Sequence, residues 1–253
     1  MSSSGWSQKF FGDLGNPSQL APLLDALPSA FFFCKDYEGR FSGINRALLN
    51  ALGIQTPDEI LGRTDHDFFD RELADAYRRE DVGIMASGEP VSNRLWWVPN
   101  VSTGDIHWYR STKIPLRNRV GEITGIAGIM YELEDAADLT AEHRLMTKVA
   151  RHIEKHYGEK LTIADLAGIS ELSERQFQRT FKRIFHTGPI EHLLRVRVRA
   201  AAALLLRGDE SLADIAFDCG FYDQSHFTNQ FRRFRGLSPA RYRKQFSASD
   251  QMS

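Results

Sequence analysis

Hydrophobic and polar positions follow one rule in the first half of the chain and another in the second. Up to about residue 133 the apolar residues come in short runs broken by turn formers. Leu20 to Leu27 predicts a short leading helix closed by Pro28, and Ala30-Phe-Phe-Phe-Cys34 a buried strand. Asp36-Tyr-Glu-Gly39 supplies a turn, and Arg40 to Ile44 returns as a second strand. Asn45 to Leu52 has helical spacing, with Gly53 as its stop. Thr56-Pro-Asp-Glu59 reads as a helix start: a capping hydroxyl, Pro in the first turn, then acids facing the helix dipole. Arg71 to Met85 predicts a longer helix that ends near Gly88. Strands at about 91–98, 105–116 and 122–133 follow, joined into a meander by turns at Ser102-Thr-Gly-Asp105 and Arg117-Asn-Arg-Val-Gly121. Two strands, a cluster of helices and three strands predict an α+β domain: one antiparallel five-stranded sheet with helices on one side.

From Glu134 to Thr140 the chain is a polar connector, and beyond it the pattern is wholly helical and stated twice. Thr162-Ile-Ala-Asp-Leu-Ala167 recurs as Ser211-Leu-Ala-Asp-Ile-Ala216, each opening on a hydroxyl with an acid three residues later, a variant of the capping box. Turns follow at Gly168-Ile-Ser-Glu-Leu172 and Asp218-Cys-Gly-Phe-Tyr222, then second helices capped by Ser173 and Asp223. These carry Phe177 and Phe181 in one copy, Phe227 and Phe231 in the other; residues four apart share a helix face, so both pairs are expected to be buried. Each copy ends at a Pro behind a small cap, Gly188-Pro189 and Ser238-Pro239. Two short helices and a tight turn, repeated, are the sequence form of a tandem helix-turn-helix.

Burying those phenylalanines, with Ile184 and Phe234, decides what faces outward. The first second-helix then offers Arg175, Gln178, Arg179 and Lys182; the other offers Gln224, Ser225, Thr228, Asn229 and Arg232. Arg matches guanine, Gln and Asn match adenine, and Lys or Arg meet phosphate. The helix starts add backbone N–H groups that suit phosphate. Pro189 to Leu206 reads as one unbroken helix, roughly 27 Å long at ~1.5 Å per residue. A spacer of that length suits two reading helices placed about one DNA turn, ~34 Å, apart.

Charge sharpens this division. The net charge of -1 conceals -7 over residues 1–140 and +6 over residues 141–253, so the second half is the one expected to meet a polyanion. At 253 residues the chain suits two domains. No apolar run is long enough to cross a bilayer and the start lacks the marks of a secretory signal, so the expected location is the cytoplasm, with no membrane partner. Two cysteines, Cys34 and Cys219, make neither a disulfide framework nor a cysteine-based zinc site.

Residues 145–246 resemble the DNA-binding domain of the AraC/XylS family of bacterial transcription regulators. The matching residues are Ile163-Ala-Asp-Leu-Ala167, Ser173 with Phe177-Gln-Arg and Phe181-Lys182, Arg197-Val with Ala201, Leu204-Leu-Leu206, Ile215-Ala with Gly220-Phe221, Asp223-Gln-Ser-His-Phe227 with Phe231-Arg232, and Gly236-Leu-Ser-Pro239 with Tyr242-Arg243. The resemblance implies an all-α domain of about seven helices that contacts promoter DNA and RNA polymerase, commonly as an activator. The first copy departs by carrying His186 where the second has the turn glycine Gly236; His tolerates a left-handed backbone better than most residues, so the turn is expected to survive.

Residues 20–135 resemble a PAS domain, a small α+β sensor module. The matching segments are Asp36-Tyr-Glu-Gly39 with Asn45, Ile60-Leu-Gly-Arg-Thr-Asp65, Trp108 through Lys113-Ile-Pro-Leu116, and Gly121-Glu-Ile-Thr-Gly125-Ile-Ala-Gly128. The expected order is thus a disordered tail over 1–19, the PAS-like domain over 20–135, a linker over 136–144, the DNA-binding domain over 145–246 and a tail over 247–253. The resemblance implies sensing, and Phe32, Trp96, Trp108 and Tyr109, with Trp97, are candidates to line a cavity for an unidentified small molecule. His107 stands on a strand and faces either that cavity or solvent. A PAS half that only mediates dimerisation or partner binding, without a ligand, is the alternative.

Other candidate chemistry is sparse. His66 in Asp65-His-Asp67 reads as a solvated or capping residue, Cys34 as an apolar side chain, and His152 with His156 as a solvent-facing helix surface before a metal pair. No metal or catalytic residue is expected. There is no phosphate-binding glycine loop, G-x-S-x-G or H-E-x-x-H. A DNA alkyl-transfer enzyme with a similar DNA-binding domain would need a cysteine-rich metal module that two cysteines cannot build.

Overall fold

The structure is a computed structural model that describes residues 21–27, 29–99, 106–133, 138–208 and 210–247. The predicted tail over 1–19, Pro28, the turn at 102–105, residues 134–137 of the connector and the tail from 248 lie outside the described residues. The chain divides into two compact units, the first ending at Glu134 and the second beginning at Asp135.

The first unit runs α1 (Ala21–Asp25), β1 (Ala30–Asp36), β2 (Phe41–Ile44), α2 (Arg46–Ala51), α3 (Arg71–Ser87), β3 (Val91–Pro99), β4 (Ile106–Arg117) and β5 (Ile123–Glu132). Its sheet is antiparallel with order β2-β1-β5-β4-β3. Successive strand residues point to opposite faces. Phe33 of β1, Trp96 of β3, Tyr109 of β4 and Ile126 and Met130 of β5 therefore join Leu48, Leu49, Leu73, Tyr77 and Ile84 of the helices in one core. Phe33 lies opposite Gly128. A Cβ at Gly128 would stand 2.5 Å from the Phe33 ring, so only glycine lets that ring lie across β5.

Asn45 knots the entry to this core. Its side-chain oxygen caps α2 by accepting from Leu48 N at 3.2 Å and also accepts from Phe32 N at 3.0 Å. Its amide donates to Leu24 O at 2.9 Å and Ala30 O at 2.8 Å, tying the leading helix to β1. The helix expected at Thr56 is shorter than its start signal promised. The capping box forms, with Thr56 N donating to Glu59 at 2.9 Å, but the element is a 3-10 turn, Pro57–Glu59. Gly62 N then donates to Phe41 O and Phe41 N to Arg63 O, so backbone pairing with β2 draws the chain out of helix within one turn. A second 3-10 turn, Asp65–Asp67, follows.

The second unit holds seven helices among the described residues: α4 (Ala141–His156), α5 (Ile163–Ile169), α6 (Glu174–Phe185), α7 (Pro189–Arg207), α8 (Leu212–Asp218), α9 (Gln224–Arg235) and α10 (Pro239–Ser247). The predicted caps are in place: Thr162, Ser173, Ser211 and Asp223 each accept from the backbone N–H three residues on. Phe177, Phe181, Phe227 and Phe231 are fully buried, and each pair meets edge to face at 5.6 Å. Each such side chain contributes roughly 3 kcal/mol by burial. The 19 residues of α7 make one helix, packed against α4 and α6 in one copy and α8, α9 and α10 in the other. Arg197 of α7 donates to Tyr157 O and Glu159 O, both at 2.8 Å, and so fastens the loop after α4 to the connecting helix.

Candidate nucleic-acid interface and sensor cavity

In both copies of the repeat a short helix and a turn deliver a 12-residue second helix, α6 or α9. Because the phenylalanines fix which side is buried, the opposite side is exposed. On α6 Arg175, Gln178, Arg179 and Lys182 all face solvent. On α9 Gln224, Ser225, Asn229 and Arg232 do so, while Thr228 is half-buried. Two further cations nearby are engaged within the domain: Arg183 pairs with Glu142, and Arg233 with Glu191 at 2.8 Å. The helix starts differ. Ser173 caps α6, whereas the Asp223 side chain caps α9 and sets a carboxylate where a phosphate would approach. Glu174 in the first turn of α6 also carries a carboxylate, so both helix starts hold an acid near where a phosphate would approach.

In the first unit a cavity of about 170 Å³ lies between the sheet and its helices. Phe31, Phe33, Phe41, Phe69, Tyr77, Trp96 and Tyr109 line it, with Lys35, Lys113 and Asp65 among them and His107 and Glu132 at its more exposed end. Of the candidates named from sequence, Trp96 and Tyr109 are in the wall. Phe32 and Trp108 are not: the two-residue period of β1 and β4 puts each on the other face of the sheet, as it does Trp97. His107 faces the cavity and is hydrogen-bonded to Glu132. His66 is exposed, 2.7 Å from Asp75.

The cavity wall carries a buried charge network. Lys35 Nζ lies 2.5 Å from Asp65 and 3.2 Å from Asp81; Lys113 Nζ lies 2.6 Å from Asp81 and 2.9 Å from Glu80. Glu80 also accepts from Trp96 Nε1 at 3.1 Å and pairs with Arg94 at 3.1 Å. Burial opposes ionisation of Asp81, but the Lys35 and Lys113 ammoniums outweigh it and hold its carboxyl below the usual range. Burial likewise pulls Lys113 down, and Asp81 and Glu80 more than restore it, so its pKa is raised. Tyr77 is pushed well above the ordinary phenol by burial, and Tyr109 up to about 12 by burial and then by Glu132.

Two family models match the chain. One, a PAS fold, covers residues 24–138; the other, a helix-turn-helix domain, covers residues 166–245. The chain is 40% identical over 101 residues to the HTH-type transcriptional activator RhaS of Enterobacter sp. (strain 638), a match spanning 39% of this chain and 36% of RhaS. It is 34% identical over 96 residues to the bifunctional transcriptional activator/DNA repair enzyme AdaA of Bacillus subtilis (strain 168), spanning 38% of this chain and 46% of AdaA. Among solved structures, the DNA-binding domain of AdpA, a global transcriptional factor in complex with a target DNA, is 30% identical. That match covers 43% of this chain and 98% of the other, with a TM-score of 0.42. The chain thus carries an AraC-type helix-turn-helix domain and a PAS fold. It spans between about a third and a half of the length of these curated relatives.

The sequence placed the helix faces but missed the cavity's polar wall. Lys35, Asp65, Glu80, Asp81 and Lys113 were not among the candidates named from sequence. A signal was present: Lys35 follows Phe31 and Phe33 at two-residue steps, and Lys113 follows Tyr109, so alternation alone puts both lysines on the buried face.

Proposed function

We propose that the chain is a bacterial, sequence-specific DNA-binding transcription regulator acting as an activator in the cytoplasm, with a PAS domain that senses a small molecule. The carrying observation is that α6 and α9 each bury a phenylalanine pair and expose a face of base-reading and phosphate-reading side chains. Arg175, Gln178, Arg179 and Lys182 read one major-groove segment; Gln224, Ser225, Thr228, Asn229 and Arg232 read the next. RNA polymerase is the protein partner this reading implies. The names of RhaS and AdaA, both transcriptional activators, support it.

The test is to select DNA fragments with the purified full chain and then measure Arg179→Ala and Gln178→Ala on the selected site. Each variant is expected to lose ~1–3 kcal/mol and to relax preference at one or two base pairs. Unchanged preference in both would remove α6 from the reading role.

A PAS domain that only pairs two copies is the second reading, favoured by Ile114 and Tyr131, large and exposed on the outer face of the sheet. Native mass spectrometry separates the two: released ligand mass supports sensing, a bare dimer supports pairing. AdaA is also a DNA repair enzyme, but Cys34 and Cys219 are too few for a cysteine-rich metal module, and we read this chain as a non-enzyme. Elemental analysis is expected to find no zinc; one zinc per chain would reverse that reading.

A further inference from the structure

The sensor reading above leaves open what the cavity takes, and the chemistry of its wall narrows the answer. Charge is balanced there without a ligand. Three cations, Lys35, Lys113 and the exposed Arg94 behind the wall, face three carboxylates, Asp65, Asp81 and Glu80, and every one of them is paired within the network. Glu132, the other carboxylate of the lining, is hydrogen-bonded to His107 at the exposed rim. A charged ligand entering this space would shed its water and meet no spare counter-charge.

Hydrogen-bonding capacity, unlike charge, is left over. An ammonium has three N–H groups. On Lys35 two are taken by Asp65 and Asp81, and on Lys113 two by Asp81 and Glu80. The third on each is left to ring faces and to whatever fills the cavity. The two nitrogens flank one ring, 5.2 and 5.7 Å from the centroid of Phe33. The remaining wall is mostly aromatic, and its volume of about 170 Å³ is close to that of cavities that admit a single benzene ring, ~150 Å³.

We propose that this cavity binds an uncharged, flat molecule of one aromatic ring, carrying a hydrogen-bond acceptor that lies between Lys35 and Lys113. The ring is held by the aromatic side chains, the acceptor by the two leftover N–H groups, and the His107–Glu132 pair forms the rim through which it enters. This rests on the PAS domain being a sensor, and it excludes carboxylates, phosphates and amines as the ligand class.

Three probes of nearly equal shape test it on the full chain: benzamide, neutral with an acceptor; benzoate, an anion; and benzylamine, a cation. Dissociation constants are measured by ligand-observed NMR. Benzamide is expected to bind at least tenfold more tightly than either charged probe, and to lose that binding in Met130→Trp, which fills the cavity. Leu52→Phe, at the half-buried edge of the same wall, serves where circular dichroism shows Met130→Trp unfolded. Benzoate or benzylamine binding as tightly as benzamide would overturn the ligand class, and so would failure of all three to bind. Benzamide binding unchanged in a folded filling variant would overturn the site. The sensor reading fails separately, if a folded filling variant leaves promoter output and its response to growth conditions as in the wild type, whatever the probes do.

Discussion

Glu171 and His186 hold left-handed backbone, with φ of 53° and 58°, at the positions where the second copy of the repeat uses Gly220 and Gly236, with φ of 73° and 74°. His186 ends α6 as the left-handed cap that Gly236 provides for α9, so a residue with a side chain can fill this turn. The two glycines are nevertheless different in kind. A Cβ at Gly236 would meet nothing within 4 Å, whereas one at Gly220 would stand 2.7 Å from Gly158 O, 2.8 Å from Tyr157 O and 2.9 Å from Arg197. Gly236→Ala therefore costs only backbone strain, about 1 kcal/mol after the stiffer unfolded chain is allowed for. Gly220→Ala adds a collision with backbone that Arg197 already clamps, for a total of roughly 2–4 kcal/mol. Urea unfolding of the two variants measures both. Equal losses would mean that the close approach at Gly220 is relieved at little cost and that φ alone sets its identity.

At the scale of elements, α7 carries a titratable group in its buried face. His192 packs between the rings of Phe181 and Phe185, at 5.6 and 5.8 Å, and burial, then Arg199 and Arg195, push its pKa down to about 3. The unfolded chain binds a proton there near the ordinary pKa of ~6.5. Between those values the unfolded state is the more protonated one, so this residue's contribution to stability is complete above pH 6.5 and falls as the pH is lowered toward 3. From pH 7 to pH 5 the loss is about 2 kcal/mol. His192→Leu should flatten that part of the profile in urea unfolding of the C-terminal unit; an unchanged slope would assign it to other groups. Such a histidine was not legible in the sequence, where Pro189 to Leu206 gave only an unbroken helix with Glu191, Arg195 and Arg199 on either side of its apolar residues. The helices themselves were legible, since caps and four-residue aromatic spacing are local. The sheet was legible too, through its two-residue alternation and its turns. The start at Thr56 was misread because the bonds that cut it short come from Phe41, fifteen residues away. The cavity's charge network was missed for the same reason: Lys35, Asp65, Asp81 and Lys113 meet only through the sheet order, which joins β1 to β4 across β5.

For the whole molecule the division of charge matters as much as either fold. Residues 1–140 carry -7 and residues 141–253 carry +6, so the acidic half accompanies the basic one to any polyanion. At low ionic strength the Debye length reaches ~30 Å, and the acidic half then weakens the pull of the reading helices on DNA of any sequence. A fragment starting at Asp138 isolates the effect. It keeps Leu139, which is buried and whose carbonyl accepts from Arg144, and Thr140, which caps α4, so the second unit retains its first helix. Its net charge is +5, the +6 of residues 141–253 reduced by Asp138. The fragment should bind random-sequence DNA more tightly than the full chain at ~10 mM salt, and the two should converge near ~150 mM, where the Debye length is ~8 Å. Their preference for the selected site, which α6 and α9 set, should survive in the fragment, while its response to growth conditions should vanish. Equal binding to random DNA at low salt would show that the acidic half is held away from the duplex. A fragment that kept the response would place the sensor outside the PAS domain.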